Sequence, residues 1–309
     1  MNRISIQLKQ EGPIIAIKMT SRFLGISLFK VYAFFIDGLL IDTGFVNGRD
    51  RLLKLLDELR PATVVNTHHH EDHTGNNFWI TKKFGLLPLA HPKTSPYLQT
   101  PSQWVPFYRR LLWGCPHPAE TSQVDSEIRT PKFRFLVIPT PGHSEDHVCV
   151  YEPNEEWLFT GDLFIGERLR YLREDEDIYS VIDSLKRITS FPLKKMFCSF
   201  GGRIDRPKDA IHQKIDYLEN LKYEIEKGLK QGLSPQEIRR KLLGGGDRYR
   251  LFTAGQISKQ NLINAFLRNP TSPPPFKKGG LGGFESYFLR FPLTFSLPPV
   301  GRGMVADAP

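Results

Sequence analysis

The chain opens in the alternation of a β-strand. In "IIAIKM" and "VYAFFIDGLLIDTG" apolar and β-branched residues dominate, broken by Asp37-Gly38, a dipeptide suited to a tight hairpin. The period then changes. In "GRDRLLKLLDELR" the leucines Leu52, Leu53, Leu55, Leu56 and Leu59 fall at helical spacing, and Pro61 stops the run. "ATVVNT" reads as a short buried strand. "FRFLVIPTPGH", "EWLFTGDLF" and "KKMFCSFGG" each read as an apolar strand that ends in a turn. From Pro207 to Leu243 the period is helical again, with Ile211, Ile215, Leu218, Leu221, Ile225 and Leu229 on one face. Within that stretch Ser234 and Glu237 form a capping box for a second helix. "GQISKQNLINAFLR" predicts the last helix. Between Pro101 and Pro131 no period holds, and "WVPFYRRLLWG" reads as an aromatic-rich irregular segment. After Arg268 the Pro/Gly-rich "NPTSPPPFKKGGLGG" excludes a helix or a central strand. A disordered or loosely attached tail is expected there, over 269–309, with a strand pair at "SYFLRF" as the alternative.

Composition narrows the picture only a little. The chain has 309 residues, enough for a sizeable core. Its net charge of +9 is spread without blocks of like charge, so a solvated basic surface is expected rather than a nucleic-acid face. The three cysteines, Cys115, Cys149 and Cys198, are too few and too far apart for a disulfide framework or a cysteine zinc cluster. The first twenty residues lack the apolar core of a secretory leader, and no apolar run is long enough to cross a membrane. A cytoplasmic protein without membrane contact is the expectation.

The chemistry concentrates in "NTHHHEDHTGN". Four histidines and two carboxylates occupy His68 to His73. In an extended loop, residues two apart share a face, so His68 and His70 can face one point while Asp72 and His73 serve a second. Imidazole and carboxylate are ligands of borderline metals such as zinc. Further ligands have to come from other strand ends. His143 and Asp162 stand at two of them. A solvated histidine tract would explain neither the preceding strand nor these matching strand ends. Isolated histidines such as His91, His117 and His212 are expected in surface or packing roles.

These motifs resemble those of the metallo-β-lactamase superfamily. The matches are "DTG" at Asp42 to Gly44, H-x-H-x-D-H at His68 to His73, "PGH" ending at His143 and "GD" ending at Asp162. They run in family order, within residues 12–268. The resemblance implies an α+β fold, a four-layer αββα sandwich with the core in residues 1–206. The helical region 207–268 resembles the extension of glyoxalase-II-like members, and 269–309 would be the tail. By resemblance, His68, His70 and His143 hold a first metal. Asp72 and His73 hold a second, and Asp162 bridges both. Asp42 orients the site from beneath, and Asp72 helps to orient the attacking hydroxide. The implied cofactor is zinc, one or two ions, with iron or manganese as other candidates.

One position departs from the family. Where dinuclear members carry a histidine in a late turn, this chain has "CSFGG", with Phe200 (or Gly201, one register on) in its place. Three outcomes stay open: a second metal held by fewer protein ligands, a mononuclear site, or compensation by Cys198 or His212. For substrate contact, Tyr108 and Arg109 of the aromatic segment and His212 of the long helix are candidates; the aromatics equally suit plain packing. The function implied is a metal-dependent hydrolase of a small ester, thioester or lactone. The alternatives are a phosphodiesterase or nuclease of the same superfamily, or a non-catalytic member. A chain ending at Arg268 is expected to fold and to bind metal as the full chain does. Circular dichroism and elemental analysis check this, and an insoluble or metal-free product would show that the tail belongs to the domain.

Overall fold

The asymmetry of each strand sorts the apolar residues into layers. The computed structural model describes residues 2–23 and 26–268, so the expected tail and the alternative strand pair lie outside the described residues. A seven-stranded sheet runs in sequence order: β1 (Asn2–Glu11), β2 (Ile14–Phe23), β3 (Ile26–Ile36), β4 (Leu39–Ile41), β5 (Thr63–Val65), β6 (Leu89–Ala90) and β7 (Ser122–Gln123). It is antiparallel up to β4 and parallel from there on. The second sheet contains β8 (Glu127–Arg129), β9 (Arg134–Pro139), β10 (Val148–Glu152) and β11 (Trp157–Phe159). A two-stranded ribbon joins β12 (Leu172–Arg173) to a strand near the end of the domain. The second sheet is completed by β13 (Lys195–Cys198) and β14 (Gly202–Ile204), and the ribbon by β15 (Ile257–Ser258).

Alternation decides which side chain meets which layer. Ile14, Ala16, Phe34, Ile36, Leu39, Ile41 and Val65 of the first sheet pack against Phe135, Val137, Val148, Val150, Phe159 and Phe197 of the second. Their neighbours point outward. Ile17, Met19, Ala33, Phe35, Leu40 and Val64 meet Leu52 and Leu56 of the helix Arg49–Leu59 and Ile80 of the helix Asn77–Phe84. On the far side, Cys149, Tyr151, Leu158, Met196 and Cys198 pack against the helices Ile178–Thr189, Pro207–Lys230 and Lys259–Leu267. The result is the αββα sandwich. The Asp37-Gly38 hairpin is present, with φ of 48° and 85° in the left-handed region that its turn requires. The capping box of Ser234 and Glu237 is present too.

Some elements differ from the sequence expectation. Leu229 is 40% exposed, because it lies in the last turn of its helix, beyond the packed face. The aromatic segment is helical, as Pro101–Trp104 and Phe107–Trp113. Its helices are only about one or two turns long, too short for a period to show. The helix Ile178–Thr189 adds to the predicted elements. Asp177 caps it by accepting from the backbone N–H of Tyr179 and Ser180, which offsets its β-branched content.

The turn after the histidine cluster depends on Gly75. A Cβ there would meet the carbonyl of Gly44, the Glu71 carbonyl at 2.7 Å and the Val46 nitrogen at 2.8 Å. All are backbone atoms that cannot step aside. Gly75→Ala is therefore expected to destabilise the fold by about 2 kcal/mol, within the range for overpacking. Urea unfolding measures this, and an unchanged midpoint would mean that the loop around Gly44 can move.

Candidate metal centre

Four connections leave the sheets at one edge, and each delivers part of the site. The loop after β4 carries Asp42, β5 leads to His68, β9 leads to His143 and β11 leads to Asp162. His68 lies in the bend 67–69, His70 stands at the N-cap of the short helix Glu71–Thr74, and Asp72 and His73 lie within that helix. The extended loop of the sequence reading therefore ends at His70. All six residues, His68, His70, Asp72, His73, His143 and Asp162, are buried.

The imidazole nitrogens converge. His70 Nδ1 lies 2.8 Å from His68 Nε2 and 3.0 Å from His143 Nε2. Asp162 Oδ2 lies 3.3 Å from His143 Nε2, and its Oδ1 lies 3.3 Å from His73 Nε2. Ligand atoms of His68, His70, His143 and Asp162 fall within 4.8 Å of one another, and so do those of Asp72, His73 and Asp162. His73 Nε2 and Asp162 Oδ1 are buried and face each other at 3.3 Å, with no other hydrogen-bond partner among the described residues. Lone pairs that converge unpaired in a buried place are costly unless a cation sits between them. This donor set fits a divalent metal, with Asp162 shared between two groups.

Asp42 organises the site from beneath. Its carboxylate accepts from the Thr67 backbone N–H at 2.8 Å and lies 2.7 Å from His73 Nδ1. It thereby holds the His73 Nδ1 proton and aims Nε2 at Asp162. Thr67 Oγ1 lies 3.0 Å from His68 Nδ1 and also reaches Asp42. Glu176 Oε2 lies 3.4 Å from His143 Nδ1, within ion-pair distance of that ring's far nitrogen. Burial and neighbouring histidines push His68 well below its ordinary pKa, so it stays neutral. Burial and the nearby Arg173 charge do the same to His70. Burial opposes charge on His73 as well, but the carboxylates of Asp162, Asp42 and Asp72 outweigh it and raise its pKa. A metal ion at Nε2 would take the place of that proton.

Some important groups were not singled out in the sequence. His147 is pushed down to about 3 by burial, and its neutral Nε2 accepts the Asp162 backbone N–H at 3.1 Å. His147 stands inside "TPGHSEDH", so a signal was present. Glu176 and Lys214 gave none, because the fold alone brings them near. Lys214 is 2% exposed, donates to the Leu163 carbonyl at 3.2 Å and lies 5.1 Å from the Phe164 ring centre.

The substrate candidates lie in three different surroundings. Arg109 is buried and ion-paired to Glu71, with Asp72 Oδ1 3.5 Å away, so it is not free for a substrate anion. Tyr108 is half-buried and its hydroxyl donates to Gln256 at 2.7 Å. His212 is exposed on its helix. It is absent from the donor groups, as is Cys198. Strand alternation turns Cys198 into the helix-facing core, where its sulfur accepts the Gly201 N–H at 3.1 Å. The Phe200 turn follows β13 beside the Asp162 loop, with the Ser199 N–H donating to the Gly161 carbonyl at 3.2 Å.

Comparison with known proteins gives a consistent result. The profile described as the metallo-beta-lactamase superfamily matches residues 27–199. An atrochrysone carboxyl ACP thioesterase of Aspergillus fumigatus is 29% identical over 185 residues, 58% of this chain and 51% of that protein. A hydroxyacylglutathione hydrolase of Pelagibacter ubique is 29% identical over 166 residues, 53% of this chain and 61% of that protein. The chain thus spans about half to three-fifths of the length of these relatives. A beta-lactamase domain protein from Burkholderia ambifaria superposes with a TM-score of 0.63 at 15% identity, over 84% of this chain and 88% of that one. A metallo-beta-lactamase family protein from Thermus thermophilus gives 0.59 at 18% identity, over 79% and 92%. At such identities these two structures speak for the fold.

Lys214 supplies a test of the electrostatics around the site. Burial pushes its ammonium from 10.5 down to about 8, against the pull of Glu176 and Asp162. Between those two values the unfolded chain binds more protons, so stability rises with pH across that window. The total rise is about 3 kcal/mol. Lys214→Met is expected to lack it. Urea unfolding of metal-free protein at a series of pH values checks this; parallel curves for the two proteins would mean that Lys214 is solvated.

Proposed function

The chain belongs to the metallo-β-lactamase superfamily, and from that premise we propose that it is a metal-dependent hydrolase of a small ester, thioester or lactone. The observation that carries this reading is the convergence of His68 Nε2, His70 Nδ1 and His143 Nε2 beside Asp162. The residues that would hold metal are His68, His70, His143 and Asp162 in one group, and Asp72, His73 and Asp162 in the other. A divalent ion bound there, zinc in the first instance with iron or manganese as competitors, supplies Lewis acidity and brings the pKa of water towards neutrality.

The chain's own groups do the positioning. Asp42 fixes the tautomer of His73, and Glu176 lies against the far nitrogen of His143. His147 holds the Asp162 backbone in place. Asp72 presents a carboxylate oxygen beside the second donor group that can orient a water for addition to the acyl carbon. The names of two relatives, a thioesterase and a hydroxyacylglutathione hydrolase, support acyl chemistry as the first choice. Among the described residues no helix is long and apolar enough to cross a membrane.

The test is a panel of thioester, ester, lactone and phosphodiester substrates, run on metal-loaded and chelated protein. Turnover of an acyl substrate is expected, lost on chelation and regained with zinc, iron or manganese. Asp42→Asn is expected to weaken metal binding by about 10- to 100-fold. Hydrolysis of the phosphodiester alone would replace this reading with the nuclease one. Silence on every substrate with metal bound would leave a non-catalytic member.

A further inference from the structure

The segment His68 to Asp72 alternates its faces. His68, His70 and Asp72 belong to the donor groups, while the two residues between them are gripped by the segment 91–113 and its partners. His69 stacks on Tyr97 with ring centres 3.9 Å apart and meets Trp104 edge-on at 5.0 Å. Its Nδ1 lies 2.9 Å from Asp146 Oδ1, and Thr94 donates to the other Asp146 oxygen at 2.6 Å. Glu71 is 0% exposed and pairs with Arg109, itself 5% exposed, on the helix Phe107–Trp113.

Arg109 reaches further than its partner. Its Nη2 lies 3.5 Å from Asp72 Oδ1, and its guanidinium sits 5.1 Å from the Trp113 ring centre. The other Asp72 oxygen, Oδ2, lies 3.8 Å from His73 Nε2. One carboxylate oxygen is thus tied to the helix while the other faces the donors of the second group. A buried ion pair is a poor way to gain stability, since desolvation offsets most of the attraction. It is a good way to fix a direction, because the planar guanidinium and the stacked Trp113 leave Arg109 little freedom.

We infer that Arg109, paired with Glu71, is a positioning residue for Asp72, so that the helix Phe107–Trp113 is part of the metal centre and sets its capacity for a second ion. The second group offers three residues where the first offers four. With Phe200 standing where a histidine is expected, the second ion depends heavily on the orientation of Asp72. The inference rests on the proposed metal site but not on the identity of the substrate.

The test reads metal affinity, not turnover. Metal-free full-length protein is titrated with zinc against a chromophoric chelator, for the wild type and for Glu71→Gln/Arg109→Met. Replacing both partners leaves neither Glu71 nor Arg109 as a lone buried charge, while Asp72 loses its fixed cation; Arg109→Lys, which keeps a cation beside both carboxylates, serves if the double variant does not fold. In wild type two binding steps are expected. In the double variant the second step is expected to weaken by about 10- to 100-fold while the first is unchanged. Arg109→Lys should fall between the two, since an ammonium cannot hold both carboxylates as the guanidinium does. Equal weakening of both steps would show a merely structural role and overturn the inference, as would two unchanged steps. A single step in wild type would overturn it too, while leaving a one-metal hydrolase standing; failure to bind zinc at all would sink the metal reading itself.

Discussion

The carboxylate of Asp42 ties the site to the fold. It sits just past β4 with φ of 64°, a left-handed conformation that a non-glycine residue holds only when its surroundings insist. From there it takes the Thr67 backbone N–H and faces His73 Nδ1. The Asp42 N–H itself donates to the Val65 carbonyl, and Thr43 N–H donates to the His73 carbonyl. One short loop thus fixes the exit of β5, the start of the histidine segment and the tautomer of a donor. If Asp42 shifted, His68 and His73 would lose their common orientation, and the convergence of nitrogens would go with it.

A second constraint is the balance of charge in a buried space. Asp42, Asp72, Asp162 and Glu176 crowd against imidazoles that burial and their neighbours keep neutral, such as His68, His70 and His147. Only part of that negative charge has a fixed cation nearby. Arg109 lies at Asp72, and Lys214 stands behind the Asp162 loop. The neighbouring carboxylates also raise the pKa of His73, and a divalent ion in place of that proton would bring more positive charge. The Arg109 charge is paired with Glu71 and lies near Asp72.

The insertion and the extension illustrate how function is spread over the chain. Residues 101–131 looked irregular because the helices there are short and their contacts distant. Tyr97, Trp104 and Arg109 reach the back of the histidine segment, so the segment is held on both faces. The long helix Pro207–Lys230 contributes Lys214 from the opposite side of the sandwich.

The sequence by itself determined the layers and most of the donors. Strand alternation assigns Phe34 and Phe159 to the space between the sheets and Leu40 and Leu158 to the helix-facing sides, because the side-chain period of a strand is two. His68, His70, Asp72 and His73 were legible because they are adjacent in one segment, and His143 and Asp162 because each follows a strand and a glycine. Tertiary structure decided the rest. It turned Cys198 into the core, left His212 in solvent and committed Arg109 to Glu71. It also brought Glu176 to His143 across more than thirty intervening residues and Lys214 to the loop of Asp162. Such pairings depend on where two distant elements pack, and a local pattern carries no record of that.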